Sequence, residues 1–167
     1  MKTKSLTAER LRELLAYDPV TGKFTWRMRP SNRVHVGDEA GHVGGNGYVQ
    51  IRVDGAMYQA HRLAWLYVTG RWPVRFLDHR DLDRSNNRFV NLREANDEQN
   101  AANSPRRRHG HVGLKGVGYH RSTGRYRARI RRGNREYHLG LFDTPEDAHR
   151  AYQEASRRLH GEFGRVN

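Results

Sequence analysis

The stretch Phe76-Leu-Asp-His-Arg-Asp-Leu-Asp-Arg-Ser-Asn-Asn-Arg-Phe-Val-Asn-Leu-Arg93 constrains this chain more than any other. A short apolar run, Phe76-Leu77, ends on the acid–imidazole pair Asp78-His79. Asp81 to Arg88 is rich in Asp, Ser, Asn and Arg, residues that favour turns by bonding to nearby backbone. Asn91-Leu92-Arg93 follows, and Asn96-x-x-Gln99 has the pattern of a capping box opening a short helix that carries Asn100. The stretch thus predicts a strand, a polar turn and a helix bearing a carboxylate, an imidazole and two carboxamides. A carboxylate and an amide oxygen suit a hard cation such as Mg²⁺ or Mn²⁺, which keeps several waters. A neutral imidazole can take a proton from water near neutral pH, and a second amide can hold it in the right tautomer. These are the groups that a one-metal phosphodiesterase needs. A polar loop alone is an ordinary solvated turn; four groups in this order with a helix behind them argue for a site.

Composition narrows the partner. The chain has 167 residues, a formal net charge of +13 and a pI of about 10.8, so a polyanion is its natural ligand: nucleic acid or an anionic surface. The charge is uneven, with 16 Lys/Arg against 12 Asp/Glu in residues 1–104 and 15 against 6 in residues 105–167. No apolar run has the length of a membrane span, no apolar region follows the basic N-terminus as in a secretory signal, and cysteine is absent. A cytoplasmic setting, with no thiolate metal site, is the expectation.

Along the N-terminal part, Thr7 to Ala16 reads as a helix capped by Thr7. Tyr17 to Gly22 reads as a turn, Lys23 to Arg27 as a half-buried strand, and Pro30 to Gly47 as a loop with surface His35 and His42. Two alternating runs flank Asp54-Gly55, a strong hairpin signal. His61 to Thr69 reads as a helix closed by Gly70. Arg88 and Arg93 either clamp substrate phosphates or pair with Asp81, Asp83 or Glu94. Asn103 to His111, with Pro105 and a basic cluster, reads as a linker.

Three strands are expected beyond it, over 116–120, 125–131 and 135–142. In the second, period-two alternation puts Arg125, Arg127, Arg129 and Arg131 on one face and Tyr126, Ala128 and Ile130 on the other. Four arginines on one face repel one another unless a polyanion lies against them. Thr144-Pro-Glu-Asp147 starts a helix, whose stripe Ala148, Ala151, Tyr152, Ala155, Leu159 covers the apolar face.

The Asp78-His79…Asn91…Asn100 set closely resembles the HNH endonuclease family in its phage and homing branch, as does the run Tyr58-x-x-His61-Arg62…Gly70-x-x-Pro73. The resemblance implies that Asp78 and Asn100 are metal ligands, that His79 is the general base, and that Asn91 orients that base and ties the turn together. Asn87 matches a loop position with a structural role, and His61 a structural or phosphate-contacting one. Residues 113–167 look like the AP2/ERF DNA-binding domain, through Gly116-Val117, the Arg-Tyr-Arg-Ala-Arg-Ile strand, Leu139-Gly140-x-Phe142, the Glu146–Ala155 helix and Asn167. That resemblance implies a sheet lying in the DNA major groove, with contacts at Lys115, Gly116, Gly118, His120, Arg125, Arg127, Arg129, Arg131, Glu136, His138 and Leu141. Several positions depart from plant members, so no target sequence is carried over.

Together they give an α+β expectation. An HNH ββα-metal nuclease domain over 1–103 would be followed by a basic linker over 104–112 and an AP2-like three-stranded sheet on one helix over 113–167. The activity expected is Mg²⁺- or Mn²⁺-dependent cleavage of double-stranded DNA in a bacterial or phage-infected cell, without membrane association. A monomer would nick, and a double-strand break would need a dimer or a second binding event. The readings from other classes are a non-catalytic DNA-binding regulator and an RNA-directed binder.

Overall fold

A computed structural model describes residues 6–103 and 112–164. The expected basic linker therefore lies outside the described residues save for its last position, as does Asn167. Met1–Ala95 and Asn96–Asn167 form two compact units of mixed helix and sheet. The division falls ahead of the expected linker.

The first unit begins with helix α1 (Ala8–Leu14), where the Arg10 N–H donates to Thr7 Oγ1 at 3.2 Å as an N-cap. The chain then enters β1 (Leu15–Asp18), which pairs antiparallel with β2 (Lys23–Trp26). The expected turn at 17–22 is thus partly strand. Tyr17 alternates inward with Leu15, and both are buried, while Asp18 accepts from Val20 N–H and Thr21 O–H to make the turn. After a largely irregular connection, β3 (His42–Val43), β4 (Val49–Val53) and β5 (Ala56–Gln59) form a sheet in that order. Asp54 and Gly55 both have positive φ, 47° and 82°, as a two-residue hairpin turn demands.

Helix α2 (Ala60–Thr69) follows directly and ends on Gly70 at φ 76°, whose N–H reaches Leu66 O. Its Ala60, Leu63, Ala64 and Leu66 join Leu11, Leu15, Phe24, Ile51 and Val53 in one core. The last hairpin of the unit pairs β6 (Phe76–His79) with β7 (Leu92–Ala95), putting Asp78 opposite Arg93 and His79 opposite Leu92.

The second unit opens with α3 (Asp97–Asn103). Asn96 and Gln99 cap it reciprocally: Gln99 N–H donates to Asn96 Oδ1 at 2.8 Å and Asn96 N–H to Gln99 Oε1 at 2.9 Å. Strands β8 (Val117–His120), β9 (Arg125–Arg132) and β10 (Arg135–Phe142) form an antiparallel sheet with β9 central. Helix α4 (Pro145–His160) packs on it, burying Ala148, Tyr152 and Ala155 on the side of Ile130. Ser156 is buried too, while Ala151 and Leu159 are only partly covered. A Cβ at Gly116 would enter the Tyr152 ring, so glycine there sets how closely the start of β8 approaches α4.

Gly22 offers a direct test of the packing between the first hairpin and the 81–88 loop. It has φ +75°, and a Cβ there would collide with the backbone of Asn87 and Arg88. Gly22→Ala should cost about 2–4 kcal/mol, combining left-handed strain with overpacking. Gly55→Ala, at φ +82° with open space around it, should cost only the strain of about 1–2 kcal/mol. Thermal melts of both variants read the difference.

Candidate active site

Strand β6 delivers Asp78 and His79 to its C-terminal end, both buried. Taking a carboxylate out of water is costly unless a partner meets it. Arg93, directly across the hairpin, does so: its Nε and Nη2 each lie 2.9 Å from Asp78 Oδ2. Arg93 is only 6% exposed, which removes it as a surface phosphate clamp. Of the two roles open to it, the ion pair holds, with a partner outside the three carboxylates expected.

The loop after His79 folds back on it. Leu82 takes a left-handed φ of 70° and its N–H donates to His79 O at 3.1 Å. Asn91 keeps this strained turn closed. Its Nδ2 donates to Asp81 Oδ1 and to Asn86 O, both at 2.9 Å, and its Oδ1 accepts from Asp81 N–H at 3.1 Å. These bonds answer to the turn-tying role expected of Asn91. The carboxamide that faces the His79 imidazole and favours its protonation is that of Asn87. Asn87 is held in turn by Tyr17, whose O–H donates to Asn87 O at 2.7 Å, and by its own Nδ2 bond to Ser85 O at 3.0 Å. A buried side chain of the first hairpin thus supports the loop.

Three rings meet at the site. The His61 ring stands edge-on to His79 at 5.0 Å between centroids, and Tyr48 lies 5.1 Å from His61 and 5.8 Å from His79. Burial pushes His61 down to about 3, with the neighbouring charges of His79 and Arg62 adding to it. Burial also lowers His79 from the ordinary 6.5, against the opposing pull of Asn87, Asp81, Asp78 and Asp83. Both imidazoles are neutral at pH 7, the state in which one can accept a proton. His61 was legible only as a motif position. Tyr48 carried no signal, because its place depends on how the β3–β4–β5 sheet and α2 come together.

Asn100 stands on α3 in the second unit, where its N–H donates to Asn96 O at 2.9 Å. Among the described residues no group of three or more His, Cys, Asp or Glu side chains gathers to hold a metal ion. The donor chemistry of the first unit's site is a carboxylate with carboxamides nearby. Such oxygen donors fit a hard divalent cation that keeps most of its waters, rather than one enclosed by protein.

The second unit displays the arginine face as expected. Cross-strand pairing places His120 beside Arg125, Gly118 and Leu141 beside Arg127, His138 beside Arg129, and Glu136 beside Arg131. Part of that charge is met within the face: Arg125 Nε bonds Asp143 Oδ1 at 2.8 Å, and Arg129 approaches Glu136 at 3.3 Å. Lys115 also serves the fold, its Nζ donating to Ala102 O at 2.7 Å at the end of α3. Arg88 is exposed. No helix among the described residues is long and apolar enough to cross a membrane.

Residues 58–102 match the family model for HNH endonuclease. That stretch spans α2, the β6–β7 hairpin and most of α3, and it includes Asp78, His79, Asn91 and Asn100. A match to that family supports a nuclease, and HNH nucleases generally use a divalent metal ion. No curated protein and no solved structure matches the chain.

Arg93→Met should destabilise the protein by about 3–5 kcal/mol by leaving Asp78 buried without its ion pair, and Asp78→Asn in the same chain should restore part of that stability; a double-mutant cycle in urea measures it. His61, with its folded pKa far below 6.5, contributes stability that is fully present above pH 6.5 and is lost as pH falls toward 3. Between those limits the loss approaches about 1.4 kcal/mol per pH unit. The stability of His61→Phe should therefore fall less steeply with acid than wild type, as denaturation midpoints from pH 4 to pH 7 will read.

Proposed function

We propose that the chain is a metal-dependent HNH endonuclease that nicks double-stranded DNA, with residues 113–167 acting as an AP2-like targeting module. The observation that carries the catalytic half is His79: a buried, neutral imidazole beside Asp78, faced by Asn87 and enclosed by a loop that Asn91 ties shut. In the proposed step His79 takes a proton from a water molecule as that water attacks the scissile phosphorus. The bond from phosphorus to the 3′ oxygen breaks, and that oxygen leaves to be protonated by solvent. Asn87 steadies the imidazole as it gains charge, because a carboxamide oxygen can accept a hydrogen bond from imidazolium. Asp78 would hold the cation, and the motif's resemblance to the HNH family implies that Asn100 would be its second ligand. The bound Mg²⁺ or Mn²⁺ would supply positive charge at the scissile phosphate and the leaving oxygen. Arg93 keeps Asp78 aimed through its ion pair.

The targeting half rests on the β9 face. Arg125, Arg127, Arg129 and Arg131 form a row along one strand, flanked by His120 and His138, and such a ribbon fits a major groove. The Asp143 and Glu136 contacts hold two of the arginines in place, so the row is partly preorganised. One such domain has a single cleavage centre and cuts one strand, so a monomer gives nicks. A bacterial or phage-infected cytoplasm is the setting in this reading.

Supercoiled plasmid with Mg²⁺ tests the catalytic half. Wild type should produce open circles, EDTA should abolish them, and His79→Ala should lower the rate by about 10²–10⁴-fold, the usual weight of general-base catalysis. Absence of nicking in wild type, or equal nicking in His79→Ala, would leave a DNA-binding regulator as the better reading. For the targeting half, Arg127→Ala with Arg131→Ala should flatten the plot of log affinity against log salt by roughly 0.9 for each phosphate that the protein no longer neutralises.

A further inference from the structure

Cleavage at this site needs a positive group to receive the substrate's phosphate. Arg93 is committed to Asp78. Arg88 faces Asp18, where it joins Thr21 and Val20 in holding that carboxyl below the usual carboxylate range. Another guanidinium is held against the ring that packs on the imidazole pair. Arg84 lies over the Tyr48 ring, 5.0 Å from its centroid, and its Nη1 donates to Asn46 O at 2.9 Å. Its stem passes Gly47, whose absent side chain leaves room: a Cβ there would sit 3.7 Å from Arg84 Cδ. The turn that makes this cradle is itself pinned, by Gly44 N–H to Tyr48 O at 2.8 Å and Tyr48 N–H to Asn46 Oδ1 at 3.2 Å. The same Tyr48 ring packs on His61 and His79.

The partners of Arg84 are both uncharged. Arg10, Arg93, Arg125 and Arg129 each end on a carboxylate, whereas no carboxylate pairs with Arg84 among the described residues. The nearby acids are engaged within their own loop: Asp83 accepts from Ser85 N–H and O–H, and Asp81 from Asn86, Asn91 and the Asp83 N–H. A guanidinium has five N–H donors in a fixed fork, and the Asn46 carbonyl takes only one of them. Arg84 is exposed, so its remaining donors and its whole charge are open to a ligand on the Tyr48 side of His79. A π face and a carbonyl fix such a group in place without neutralising it.

We propose that Arg84 is the phosphate-binding residue of this site, held by the Tyr48 ring and the Asn46 carbonyl so that it grips a DNA backbone phosphate beside His79. The proposal rests on the reading of His79 as the base of a DNA nuclease. Tyr48 then has two tasks, packing the base and aiming the clamp, which couples substrate binding to the position of the imidazole.

The test uses the full chain in two assays. In a His79→Ala background, binding to a short duplex is measured against salt with Arg84 retained, with Arg84→Ala, with Arg84→Lys and, as a charge control, with Arg29→Ala. The expected result is a slope smaller by roughly 0.9 for Arg84→Ala, the value for one phosphate, little change for Arg84→Lys, and none for Arg29→Ala. With His79 intact and Mg²⁺ present, Arg84→Ala should reduce kcat by about 10²-fold, and Arg84→Lys should restore only part of it because an ammonium lacks the fork. Added guanidinium should raise the rate of Arg84→Ala. An unchanged slope in Arg84→Ala, or an equal decrease in Arg29→Ala, overturns the proposal, and thermal melts near wild type exclude unfolding as the cause. Nicking by wild type with no effect of Arg84→Ala sinks the clamp and spares the nuclease. A reduced salt slope for Arg84→Ala in a protein that never nicks does the reverse.

Discussion

The buried pairing of Asp78 with Arg93 is the constraint around which the first unit's site is built. A carboxylate is disfavoured at a buried strand edge without opposite charge nearby, because isolated buried ions are too costly. The antiparallel hairpin supplies that charge at the directly opposite position. With Arg93 committed in this way, the loop that follows His79 is where further polar groups gather.

That loop is strained and crossed by short-range bonds. Leu82 occupies left-handed space, Asp81 and Asn91 hold each other, and Asn87 is wedged between Ser85 and the Tyr17 hydroxyl. Strain of this kind persists only where surroundings over-determine it, and it is common where side chains must be aimed. The first hairpin and Gly22 belong to this support as much as to the core, which ties residues 15–26 to the packing of residues 78–91. Neutral His61 and Tyr48 close the other side with rings, giving His79 neighbours that favour its uncharged form.

The two units use arginine in opposite ways. In the first, guanidiniums that reach a carboxylate are structural, as with Arg10 on Asp54 and Arg93 on Asp78. In the second, a strand alternates arginine with Tyr, Ala and Ile so that the sheet itself separates charge from core. Helix α4 covers the apolar side, and the other side carries the arginines.

Local rules were enough to read much of this from the residues alone. The Asn96–Gln99 capping box, the Asp54-Gly55 turn, Gly70 at a helix end, Thr144-Pro145 at a helix start and the period-two arginines each depend on neighbours within a few residues, and each forms as expected. The motif residues Asp78, His79 and Asn91 were likewise visible, since their spacing is a property of the chain. Tertiary structure decided what such rules do not reach: that Leu15–Asp18 is a strand, that Arg93 answers Asp78, that Asn87 is the amide facing His79, and that Tyr48, with His61 and Arg84 against its ring, stands beside His79. Most of those contacts join residues far apart in the chain, and they exist only once strands have paired and a core has closed. Spacing selects the functional groups; packing selects which of them touch.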